Sequence, residues 1–337
     1  MQALMKRVRR RAVALGISAL IGAGASMLLT ASGAEAANVI VGSPLKADFS
    51  GLLGSIPTGT WANTAIAEPG ANVTSPVSGV VVSWHMTGNY TVGRPFELRV
   101  LEPAGSGQYT GAGTSSPATP TGGMQTFAAN LPIKTGDLVG LDVNEGFIGA
   151  AGVAGSHVVD WFPALPDGST LAPPYSSNDT ELGFNAEVQP QPGIEGILPN
   201  VGSIGGGLHV GVSGHDFTNV SSVMFGALPA ASFTVESERN IAAVAPPSTG
   251  PGEVDVSVTT RAGTSPAVTA DRFTYVACVV PKLKGRTLKS AKKKLRKAEC
   301  KLGKVKGKKS KRAKVKKQKP KPGKILPSSA KVNLTLG

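Results

Sequence analysis

Across residues 37–190 the apolar positions recur in runs of period two, with almost no helical periodicity. Phe96, Leu98 and Val100 alternate with Glu97 and Arg99, and Leu182, Phe184, Ala186 and Val188 alternate with Glu181, Gly183, Asn185 and Glu187. Residues 80–84 and 138–141 are further apolar runs of strand length, and glycine-rich turns such as Gly105-Ser106-Gly107 and Gly122-Gly123 separate such segments. Side chains on a strand point to opposite faces in turn, so this pattern predicts many short, half-buried strands. The expected fold is a β-sandwich or jelly roll, and about 150 residues suffices for one core.

Gln189-Pro190-Gln191-Pro192-Gly193 is a short linker by composition. Beyond it the alternation resumes: Val254, Val256 and Val258 face one way and Asp255, Ser257 and Thr259 the other. Gly214 and Gly226 stand where tight turns are expected. The segment from Ile197-Leu198-Pro199-Asn200 through Gly205-Gly206-Gly207, Val212-Ser213-Gly214-His215-Asp216-Phe217 and Val223-Met224-Phe225-Gly226 to Phe273-Thr274-Tyr275 resembles the IPT/TIG domain. The resemblance implies an immunoglobulin-like sandwich over residues 191–277, acting in exported bacterial proteins as a spacer or adhesion module. Some members bind DNA, but Arg239, Arg261 and Arg272 are the only bases in this segment, too few for a phosphate-binding face.

The last sixty residues switch period. Leu288, Ala291, Leu295 and Ala298 share one helical face, Thr287 suits the N-cap, and Gly303 lies just past the expected helix end. Val332, Leu334 and Leu336 then alternate with Asn333 and Thr335, after a turn signal at Pro320-Lys321-Pro322-Gly323. Together with Val280-Pro281, Leu283, Gly285, Leu302-Gly303, Val315 and Gln318, these residues resemble the PASTA domain. The resemblance implies a small α+β module over residues 278–337, one helix on a three-stranded sheet, and extracytoplasmic binding of peptidoglycan or of muropeptide-like and β-lactam-like ligands.

Charge sharpens this division. Residues 278–337 hold 23 lysines and arginines against one acid, Glu299, whereas residues 37–277 hold 7 against 19. The whole-chain charge of +14 hides two oppositely charged bodies. On the helix, Lys289, Lys292, Lys293, Arg296 and Lys297 cover the face away from the apolar stripe. Like charges at i,i+4 each cost roughly 0.2–0.5 kcal/mol, and a surface selected for solubility alone would mix signs. These five residues are therefore the expected polyanion-binding site, facing peptidoglycan or an associated anionic polymer. The sixty residues contain no aromatic side chain on which a base would stack, so no nucleic acid is expected as partner.

Residues 1–36 read as a secretory signal peptide: Lys6, Arg7, Arg9, Arg10 and Arg11, an apolar run over residues 12–29, then Ala34-Glu35-Ala36 before Ala37. No later segment is apolar enough to span a membrane, so a secreted, envelope-associated location is expected. An oxidising compartment suits the two cysteines. Cys278 precedes the first strand of the terminal module and Cys300 ends its helix, within reach of a disulfide if helix and strand pack.

No cofactor, metal or catalytic site is expected. His85 and His157 are isolated, and HExxH, GxSxG and CxxC are absent. The expected function is non-catalytic: a wall-binding terminal module, a spacer, and an N-terminal sandwich displayed for glycan or protein binding. The alternative is a wall-acting hydrolase using carboxylates among Asp137, Asp142, Glu145 and Asp160. Trp61, Trp84, Tyr90, Tyr109, Trp161 and Tyr175 offer either a sugar-stacking platform or core packing.

Overall fold

The computed structural model describes residues 38–53, 58–307, 310 and 312–337; the signal peptide expected over residues 1–36 lies outside the described residues. Three cores follow one another along the chain.

The first domain is a sandwich. Its smaller sheet orders the strands Val39–Gly42, Phe184–Pro190, Gly79–Met86 and Gln125–Ile133. The larger runs through Thr170–Leu171, Gln108–Thr114, Phe96–Gly105, Leu138–Val143, Gly59–Ala65, Ile148–Trp161 and Tyr175–Leu182, with Gly51–Leu53 paired to Ile148–Trp161. Trp84, Phe96, Leu98, Leu141, Phe184 and Val188 fill the space between the sheets and are wholly buried. The alternation around Leu182 to Val188 is present, but it is not one strand. The chain passes from the larger sheet to the smaller at Gly183, whose Cα sits so close to Thr87 O and the Phe49 ring that a Cβ would collide with both. A second apolar cluster, with Ala62, Leu101, Val159, Trp161 and Leu165, covers the outer face of the larger sheet.

The second domain pairs a sheet of Gly193–Leu198, His209–His215, Asn240–Val244 and Ser232–Ser237 with one built on Val201–Ser203, Arg272–Val279, Gly252–Thr260, Ser222–Phe225 and Leu228–Pro229. Only Gln191 and Pro192 separate it from the last strand of the first domain. Gly226 takes the expected turn conformation, φ +61°. Gly214 does not turn. It lies inside His209–His215, where a Cβ would strike the Gly193 carbonyl, so its role is close strand approach.

The terminal module is one helix, Leu288–Lys297, on a three-stranded sheet in the order Lys301–Lys306, Lys331–Leu336, Val315–Lys319. The helix stops at Glu299, which takes a left-handed φ of 53°. Gly303 falls inside the first strand rather than at the helix end; a Cβ there would overlap the Asn333 side chain. The strand Arg272–Val279 belongs to two domains. Its first half pairs with Gly252–Thr260 and, in parallel, with Val201–Ser203, while Ala277, Cys278 and Val279 pair with Pro327, Leu326 and Ile325 of the terminal module.

Candidate polyanion-binding site

The helix forms where its sequence allows a cap and an apolar stripe. The Thr287 hydroxyl accepts from Ser290 N (3.4 Å). Ala291 and Leu295 are fully buried against the core that contains Val332, Leu334 and Leu336. That packing leaves Lys289, Lys292, Lys293, Arg296 and Lys297 exposed. The first four, spaced i, i+3, i+4 and i+7, line one shallow depression of about 610 Å³ with Thr287 and Ser290. Lys297 is exposed on the same helix but stands outside this lining.

A second basic face lies on the opposite side of the module. With Val332, Leu334 and Leu336 turned toward the helix, Asn333 and Thr335 point away from it. Lys306 and Lys317 flank Thr335 on the two neighbouring strands, and Lys319 pairs with Asn333, whose Oδ1 accepts from Lys304 N (2.7 Å). Lys321 and Lys324 extend the rim, giving an open cleft of about 840 Å³. The alternation at residues 331–336 exposes Asn333 and Thr335 in the sequence, but these lysines meet around them only through strand register. Among the described residues no salt bridge involves a side chain of this module, so its charge stands uncompensated. Clustered charge of one sign gives a potential of several kT at the surface and draws polyanions to it.

Cys278 and Cys300 form a disulfide, with Cα atoms 4.7 Å apart. It ties the shared strand to the residue that follows the helix.

Elsewhere the carboxylates of the hydrolase alternative are occupied structurally or dispersed. Asp142 receives Arg99 Nε (3.0 Å) and Nη2 (2.7 Å) as well as the Thr60 hydroxyl (2.5 Å), and Arg99 Nη1 donates to Asp167 (2.6 Å). Thr60 Oγ1 in turn accepts from Leu165 N (2.9 Å), so this network pins residues 162–171 onto the outer sheet face. Asp137 caps its own turn by accepting from Lys134 N (2.8 Å). Glu145 pairs with Arg94 at the surface (3.4 Å). Asp160 is buried opposite Trp61, and burial pushes its carboxyl above the usual range. Trp61, Trp84 and Trp161 are all buried, so none forms a sugar-stacking platform; of the tyrosines, Tyr175 is the exposed one, at 59%. His209 and His215 occupy the two ends of one strand, about 20 Å apart at 3.3 Å per residue, too far for a shared ligand. Among the described residues no three His, Cys, Asp or Glu side chains form a metal-binding group, and no helix is long and apolar enough to cross a membrane.

Fold and site together define a modular, mostly β protein with a small disulfide-tied module at residues 278–337 that bears two basic faces. The chain carries an IPT/TIG domain, matched over residues 192–275, and a PASTA domain, matched over residues 279–337. No curated protein matches the chain.

Proposed function

We propose that this is a non-catalytic, exported protein of the bacterial cell envelope that anchors itself through its PASTA domain to an anionic polymer associated with peptidoglycan. PASTA domains bind peptidoglycan or β-lactams, and they and IPT/TIG domains occur in extracellular or envelope proteins. The observation that carries the choice of an anionic polymer is the pair of basic faces, back to back and without an internal acidic partner. The IPT/TIG domain serves as spacer, and the N-terminal sandwich, acidic overall, is held away from the polymer for contact with a glycan or another surface protein. The ion-paired or turn-capping state of Asp142 and Asp137 supports the non-catalytic reading over the hydrolase.

The test is co-sedimentation of the mature chain with purified wall, with and without its anionic polymers, over a salt series. Binding is expected to weaken as salt shortens the screening length from about 10 Å at 0.1 M to about 3 Å at 1 M, and to fall when the polymers are stripped. Binding that survives both treatments would assign the grip to a shaped peptidoglycan site instead.

A further inference from the structure

The first domain holds a buried acid that the proposed function does not use. Glu181 lies on Tyr175–Leu182 opposite Ala151 and is 0% exposed. Neither of its carboxylate oxygens has a hydrogen-bond partner among the described residues, and the same holds for the buried Oε2 of Glu68. No lysine or arginine of the described residues forms a salt bridge with either. A bare carboxylate out of water is costly, and proteins neutralise such groups by protonation, pair them with a charge or bind them to a metal.

The surroundings supply more oxygen. Ser43 N donates to Phe184 O (3.1 Å), which places Ser43 beside the end of the Glu181 strand. Ala67 N donates to Ser156 Oγ (3.0 Å), which brings the segment of Glu68 against the strand paired with that of Glu181. The Ser43 and Ser156 hydroxyls lie beside the Glu181 carboxyl without meeting hydrogen-bond geometry, and the Glu68 carboxylate is near enough to repel it. Both serines are buried, and each hydroxyl already accepts one backbone N–H, at 2.9 Å from Leu45 and 3.0 Å from Ala67. Four oxygen-bearing side chains from four segments are thus neighbours, Glu181 and both serines buried and Glu68 partly exposed, and the two acids carry orphaned oxygens.

We propose that Glu181 and Glu68, with the hydroxyl oxygens of Ser43 and Ser156, form a binding site for a hard divalent cation of the calcium type. The donor set is all oxygen, which suits calcium rather than a softer metal. Two carboxylates balance the charge of one divalent ion. A proton shared between the acids would join two of the three orphaned oxygens, whereas a cation takes all three. The ion would tie Ser43, the 66–69 segment and the two strands Ile148–Trp161 and Tyr175–Leu182 together, next to the crossing at Gly183 between the sheets.

The experiment is calcium titration of the chelator-stripped full chain by calorimetry, with thermal unfolding followed in parallel. A saturable heat is expected. The transition of the first domain should rise by about 3–6 °C at roughly ten times the Kd. Glu181→Gln keeps the side-chain volume while removing the charge; it should abolish both signals and, in chelator, melt no lower than the parent protein. Glu68→Gln should weaken binding at least about tenfold, by loss of one charged ligand. Absence of heat with identical melting in calcium and chelator would overturn the proposal, as would a calcium response that persists in Glu181→Gln.

Discussion

Arg99 and Asp142 show what a single residue decides in this protein. Both side chains are less than a tenth exposed, and their bidentate contact anchors the 162–171 segment through Asp167, Thr60 and Leu165. Breaking a buried pair costs more than its net worth, because the survivor stays behind unpaired. Arg99→Met is expected to destabilise the first domain by about 3–5 kcal/mol in denaturant unfolding. The double variant Arg99→Met, Asp142→Leu should recover much of that loss. Sequence alternation marks Arg99 as a position facing away from the core, while Asp142 reads only as a carboxylate following an apolar run. It does not show that Asp142 stands opposite Glu97 while Arg99 reaches it diagonally, nor that a later loop covers this face. Pairing register and coverage are non-local, so the network was not legible. Glu181 was hidden in the same way, as an ordinary polar position in an alternating run.

At the scale of the element, the helix Leu288–Lys297 was the most legible part of the chain. Its cap, its apolar stripe and its charged face are all set by neighbours three and four residues away. Its end was less so, since the stop is made by Glu299 and not by a glycine. The opposite basic face, on the sheet, needed the order of three strands to assemble. The two faces allow stability and binding to be separated. Lys293→Glu replaces like-charge neighbours at Lys289 and Lys297 with opposite ones, so it should stabilise the terminal module by roughly 1 kcal/mol. It should also weaken retention by an anionic polymer at least about fivefold, at roughly 1 kcal/mol per charge near an anionic surface. Opposite signs from one substitution, read by thermal melting and by salt-dependent co-sedimentation, distinguish a binding face from a merely solvated one. If retention were unchanged, the polymer would have to sit on the sheet face around Asn333 and Thr335.

For the whole molecule the informative feature is where the domains join. The sequence separates them by composition and charge, but the strand Arg272–Val279 runs from one into the other and is bonded in both. Ser328 N adds a further tie by donating to Ser203 Oγ (2.9 Å). The Cys278–Cys300 disulfide closes a loop of 22 residues' separation at this joint and is expected to contribute roughly 3 kcal/mol in the chain-entropy model. Replacing both cysteines by serine should therefore lower the melting of the terminal module while leaving the first sandwich unaffected, a difference calorimetry under oxidising conditions would resolve.

The same strand determines how a tethered molecule would respond to being pulled. With the terminal module held and the sandwich drawn away, tension enters the spacer along the axis of Arg272–Val279. The ladder bonds to Gly252–Thr260 lie across that axis, and the three parallel pairs to Val201–Ser203 load in the same sense. They resist together as a sheared joint, instead of opening one after another like a zip. An unstructured hinge at this point would stretch first under load; a strand common to both domains makes the joint stiff.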